Sequence, residues 1–177
     1  MQARNLSRAS PIQYSLRIRH PHIDPKSIST RLGLPAEHCF KAGDPRPARA
    51  RGGRQAEHTQ TYWLAPLTTE SWGNPLDPKF LSAIAARNAG RETVVSAKLL
   101  QAASRDLTFW GIEAVLLYFL RRLSEQQPFL LEIQSEGGDV SILLILKRDS
   151  AADFTLPPSV ARMLAQLGIA IEFIFDS

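Results

Sequence analysis

The run Pro128-Phe-Leu-Leu-Glu-Ile-Gln-Ser-Glu-Gly-Gly-Asp-Val-Ser-Ile-Leu-Leu-Ile-Leu-Lys147 decides how the chain is built, because its first half has two readings that differ in topology. Phe129, Leu131 and Ile133 alternate as a strand does, and a Gly137-Gly138 turn would pair Ile133 with Ile142 and Leu131 with Leu144 on one face of a hairpin. Alternatively, Pro128 opens a short helix that Gly137 closes. The second half has one reading. Val140 to Leu146 is a strand, and its unbroken Ile142-Leu-Leu-Ile-Leu146 core predicts burial on both faces at the centre of a sheet.

Working outward from that strand, Pro157 to Gly168 reads as a helix with Val160, Met163, Leu164 and Leu167 inward. Ile169 to Phe175 follows as a strand that presents Ile169, Ile171, Phe173 and Phe175 on one side. On the N-terminal side, Phe109, Ile112, Leu116, Phe119 and Leu123 recur at spacings of three and four and form one helix face. Trp110, Ala114, Leu117 and Tyr118 make a second apolar strip beside it. Such a helix is either a long core helix or one that also meets a second copy, a homodimer contact around Trp110, Leu117 and Tyr118.

The first third carries the sharpest local signals. Tyr14, Leu16, Ile18 and His20 alternate with Ser15, Arg17 and Arg19, which predicts a strand whose wet face bears two arginines. Asp24 is an N-cap, Pro25 fills the first helical position, and Ile23 can staple to Ile28. Gly33 supplies a left-handed stop, with Leu34 folding back on Ile28 and Pro35 preventing continuation. Leu76-Asp-Pro-Lys-Phe-Leu81 echoes this start once, which is too little for an internal repeat. Thr59 to Ala65 is β-branched and aromatic, as a strand is. Strands interleaved with helices over one core predict an α+β fold, a mostly antiparallel sheet with helices packed on one face. Residues 1–11 are expected to be a flexible leader, and 12–177 a single domain with a basic loop at 41–58 and an enlarged helical middle segment at 66–127.

Length and composition agree with one domain: 177 residues, 44% hydrophobic and 21% charged. A single cysteine forms no internal disulfide and suits a reducing compartment. No apolar signal-peptide core follows Met1, and the run Phe109 to Leu120 is too short to span a bilayer, so a cytoplasmic protein without membrane contact is expected. Net charge +4 is unevenly placed. Residues 1–58 hold 11 basic and 4 acidic side chains (+7), and residues 59–177 hold 10 and 13 (−3). Much of the excess lies in Lys41-Ala-Gly-Asp-Pro-Arg46-Pro-Ala-Arg49-Ala-Arg51-Gly-Gly-Arg54, where two prolines and three glycines predict a mobile loop.

These residues carry a family resemblance. Tyr14 to Pro35, Lys41-Ala-Gly-Asp44, Tyr62-Trp63 and the closing Leu164 to Asp176 resemble a bacterial family of small domains of unknown function. Its members have a strand, a short helix ending in Leu-Gly-Leu-Pro or similar, a Lys-x-Gly-Asp segment, a Trp-bearing strand, and a helix and Leu-Gly turn before the last strand. The similarity covers roughly 1–65 and 137–177. It implies a short helix at 128–136, against the hairpin. The family supplies no agreed activity and hence no catalytic residues. Some members are immunity-like or toxin-neighbourhood proteins that act by binding a partner.

The chemistry visible in the chain is sparse. His20, His22, His38, Cys39 and His58 supply zinc-type ligands but match no finger spacing, and ordinary structural roles explain each. Neither Arg51-Gly-Gly-Arg54 nor Glu136-Gly-Gly-Asp139 has a phosphate-binding pattern, and no nucleophile elbow is present. No catalytic, cofactor or metal residue is assigned, and a non-enzymatic role is expected. The expectation is a protein-binding module of immunity type that neutralises a partner toxin. It would use Arg17, Arg19, Lys41, Asp44, Arg46, Arg49, Arg51 and Arg54. The alternative is a nucleic-acid-binding domain in which the same arginines contact phosphate while Tyr62 and Trp63 stack on bases.

Overall fold

The computed structural model describes residues 12–46, 56–68, 71, 112–147 and 156–176. The leader, Arg49, Arg51, Arg54, the second cap at 76–81, Phe109, Trp110 and most of the middle segment lie outside the described residues. The described elements run β1 (Ile12–His20), α1 (Pro25–Leu32), β2 (His38–Phe40), β3 (Thr61–Pro66), α2 (Ile112–Ser124), α3 (Gln127–Ser135), β4 (Asp139–Lys147), α4 (Pro158–Leu167) and β5 (Ala170–Asp176). The five strands form one sheet in the order β2-β3-β1-β4-β5, antiparallel except for the β4–β5 pair. A parallel pair needs a crossover connection, and the chain between β4 and β5 carries α4. The fold is α+β.

Registers explain the two faces. Leu16 lies between Ala65 of β3 and Ile142 of β4, and Ile18 lies between Trp63 and Val140. With Tyr14 and Leu144 they form one apolar face. Helices sit on that face: the Tyr14 ring meets Phe119 of α2 at 5.7 Å, and the Trp63 indole N–H donates to Ser29 of α1 at 2.9 Å. Trp63 is fully buried, the Trp of a core rather than of an exposed surface. Each apolar side chain taken out of water here contributes about 1.5–3 kcal/mol.

The termini of α1 follow from its sequence. Asp24 accepts the Lys26 N–H at 2.8 Å, Pro25 opens the first turn, and Gly33 at φ 64° ends the helix, with the Leu34 N–H returning to the Ser29 carbonyl. Gly168 ends α4 with the same φ of 64°.

The decisive stretch is a helix, not a hairpin. Pro128 lies in the first turn of α3, and Phe129, Leu130 and Ile133 are buried at helical spacing while Leu131 faces outward. Ile142 pairs with Leu16 and Ile171 instead of Ile133. An alternating apolar triplet fits either period over so short a run, and a positive φ at Gly137 suits a helix end or a hairpin turn alike. Pro128 in the first turn favours the helix, and the pairing of Ile142 with Leu16 and Ile171 leaves no hairpin partner for Ile133. β4 is buried on both faces as expected, one place from the middle, which β1 occupies.

On α2, Leu116, Phe119 and Leu123 of one strip and Ala114 and Tyr118 of the other are buried, and Ile112 and Leu117 are half-buried, a pattern that a core helix accounts for. At the end of β5, Phe173, Ile174 and Phe175 are exposed, on the edge strand of the sheet. Among the described residues no helix is long and apolar enough to cross a membrane.

Candidate interaction surface at the root of the basic segment

The basic segment begins as a hydrogen-bonded turn. In Lys41-Ala42-Gly43-Asp44 the Asp44 N–H donates to the Lys41 carbonyl at 3.0 Å, and the Asp44 carboxylate accepts the Lys41 N–H at 2.7 Å. Gly43, third in this turn, has φ 89°, a conformation that a side chain would strain. Gly43 and Asp44 both bond to His58, its carbonyl accepting from Gly43 and its N–H donating to Asp44, so two residues oppose one in a bulge. The arms then continue through the Pro45–Glu57 bridge to an Arg46 N–H···O Ala56 bond of 2.8 Å. Pro45 costs this ladder nothing, because it falls between the hydrogen-bonded positions, where its missing N–H is not needed.

This root is fastened to the core. The Thr61 hydroxyl, fully buried, accepts the Ala42 N–H at 3.1 Å and donates to the Ile23 carbonyl at 2.8 Å. Lys41 lies 3.8 Å from the Asp24 carboxylate that caps α1. Beside it three rings stack on the sheet face away from the helices. Phe40 lies between His58, with centroids 3.6 Å apart, and Tyr62, its cross-strand partner, at 5.2 Å. All three are half-buried. Phe40 and Tyr62 are adjacent because β2 pairs with β3. His58 joins them only through the 43–46/56–58 ladder, so no short-range sequence signal could have found it.

The candidate residues separate into two groups. Arg17 and Arg19 share the face of the stack but are already occupied. Arg17 reaches across β4 to form an ion pair with Glu172 of β5. Arg19 holds Asp139 through both carboxylate oxygens at 3.0 Å. The expected wet strand face is therefore largely neutralised, and Arg17 is mostly buried. Lys41, Asp44 and Arg46 are exposed at the root of the basic segment, and Arg49, Arg51 and Arg54 follow in sequence beyond it. Trp63 offers no ring to a base.

The histidines and the cysteine are not brought together. His20 is buried, with Nδ1 accepting the His22 and Ile23 N–H groups, while His22, His38 and Cys39 are exposed and His58 is in the stack. Among the described residues no three His, Cys, Asp or Glu side chains are grouped as metal ligands. No family model, curated protein or solved structure matches the chain.

Proposed function

We propose that this domain is a non-enzymatic, cytoplasmic protein-binding module of the immunity type, which captures an acidic partner such as a toxin through the root of its basic segment. The observation that carries this reading is the clamped hairpin root beside the Phe40–His58–Tyr62 stack. Half-buried aromatic rings make binding anchors at low entropic cost, and arginines next to them steer an acidic partner. Neutralisation of Arg17 and Arg19 within the sheet leaves the hairpin as the candidate source of that positive field. A nucleic-acid track would need unpaired cations along the sheet face, and two of those it would use are committed to Glu172 and Asp139.

The test is association kinetics with the product of a neighbouring toxin gene. Replacing Arg46, Arg49, Arg51 and Arg54 together by Gln slows association at low salt by roughly tenfold or more while leaving the fold intact. An unchanged on-rate removes the segment from the interface. Retention of mixed oligonucleotides that weakens as salt rises would favour the nucleic-acid alternative instead.

A further inference from the structure

His20 closes β1 with its ring 4% exposed, and its Nδ1 accepts two backbone N–H groups, from His22 at 3.1 Å and from Ile23 at 2.9 Å. A ring nitrogen that accepts carries no hydrogen, so the neutral ring holds its proton on Nε2. That atom lies 3.2 Å from the Glu136 carboxylate but is poorly aligned with it, and makes no hydrogen bond. One side of the ring is packed against Gly138, where a Cβ would stand 2.7 Å from His20 Cδ2. From this imidazole a chain of bonds leads outward. Ile23 donates its N–H to Nδ1 and accepts the Thr61 hydroxyl through its carbonyl, and the Thr61 oxygen in turn accepts the Ala42 N–H.

We propose that His20 is a proton-sensitive latch on the root of the basic segment. Protonation at Nδ1 converts an acceptor of two N–H groups into a donor facing two donors. The turn at residues 21–24 must then move, and with it the Ile23 carbonyl that orients Thr61 and the Ala42 bond of the 41–44 turn. Glu136 attracts the charged ring, but it is 56% exposed and screened by solvent, and it faces Nε2 rather than the Nδ1 that would take the proton. On the α1 side Asp24 is engaged with the Lys26 N–H and with Lys41, and on β1 Arg19 is held by Asp139. The remaining titratable side chains on these elements are His22, exposed in the turn, His38, exposed on β2, and His58 in the ring stack, with Asp44 bonded to the Lys41 N–H. That the latch governs partner capture rests on the proposed function; that it loosens the root does not.

The experiment is residue-resolved amide exchange on the full chain at pH 7.5, 6.5 and 5.5, expressed as protection factors so that the intrinsic pH dependence is removed. Protection at His22, Ile23 and Ala42 is expected to fall roughly tenfold toward the acid end, while Ile142 in the sheet stays protected. In His20→Asn the side-chain oxygen can accept the same N–H groups and does not titrate, so the fall disappears. Unchanged protection in the wild-type chain overturns the latch, and so does an equal fall in the Asn variant, which would assign the effect to His22 or His58. If the variant does not fold, ring-nitrogen NMR of the wild-type chain decides. The amide shifts of Ile23 and Ala42 must then move with the His20 midpoint, and movement with that of His58 sinks the proposal.

Discussion

Arg17 and Arg19 stand two residues apart on one face of β1, each paired with a carboxylate, yet they do different things. Arg19 and Asp139 face each other across the β1–β4 pair in the open, with side chains 39% and 50% exposed. Arg17 is 13% exposed, lies over buried Ser141, and crosses a whole strand to Glu172. Identical spacing and charge thus yield one surface pair and one that ties the edge strand β5 to the middle of the sheet. The difference comes from what surrounds them, with Ser15, Ser141 and Leu143 buried around Arg17. An arginine that reads as free binding charge in the sequence is a structural group in the fold.

The largest effect should come from breaking the inner pair. Glu172→Ala leaves a mostly buried guanidinium, whose Nε already lacks a partner among the described residues, without its counter-charge, and is expected to cost about 2 kcal/mol of stability. Asp139→Ala, on the exposed pair, is expected to cost less than about 1 kcal/mol. Urea titrations at low and high salt measure both, with salt narrowing only the outer loss. Equal losses would erase the contrast.

The opposite face of the same strand supplies the next effect. Tyr14 is buried against Phe119, and burial pushes its phenol well above the ordinary tyrosine range. The raised folded-state value means that the stability linked to Tyr14 is fully present below about pH 10, where the unfolded phenol ionises, and is lost as pH rises beyond it. Stability should therefore fall by up to about 1.4 kcal/mol per pH unit above pH 10 through this group alone, and Tyr14→Phe should flatten that limb. Parallel alkaline limbs in the two proteins would mean that another group controls it. Together with the loss from Glu172→Ala, this sets the two faces of β1 apart by chemistry, one held by charge pairing and one by exclusion of charge.

Local signals made much of the fold legible. Asp24-Pro25 and Gly33 fix α1 through bonds made within a few residues, and the alternation of β1 placed Tyr14, Leu16, Ile18 and His20 inward, where they lie. The α3 segment was undecided because three apolar positions fit two periods, and only tertiary pairing gave Ile142 to Leu16. The candidate surface was half legible. Its charge was visible, but the order at 41–46 depends on partners at 56–61, and the Phe40–His58 stack joins rings 18 positions apart. The Lys-x-Gly-Asp segment held the one available clue, since a glycine third in a four-residue turn before Asp admits the positive φ that starts the ladder.

The smallest expected effect tests why Arg17 is worth more than Arg19. Ser141 is Arg17's direct cross-strand partner, 1% exposed, and neither its hydroxyl nor the Arg17 Nε has a partner among the described residues. If the inner pair owes its value to Glu172 alone, the Ser141 hydroxyl contributes nothing favourable and carries an unpaid desolvation cost. Ser141→Ala keeps the methylene and removes that oxygen, so it should be neutral or stabilise the protein by up to about 1 kcal/mol. Ser29→Ala is the control on the apolar face, where the hydroxyl accepts the buried Trp63 indole N–H, and that change should cost about 1 kcal/mol. A loss of similar size at Ser141 would mean that its hydroxyl and the Arg17 guanidinium bond in solution. The inner site would then be a three-member network of Arg17, Ser141 and Glu172, and the Glu172→Ala and Ser141→Ala losses would fail to add in the double variant.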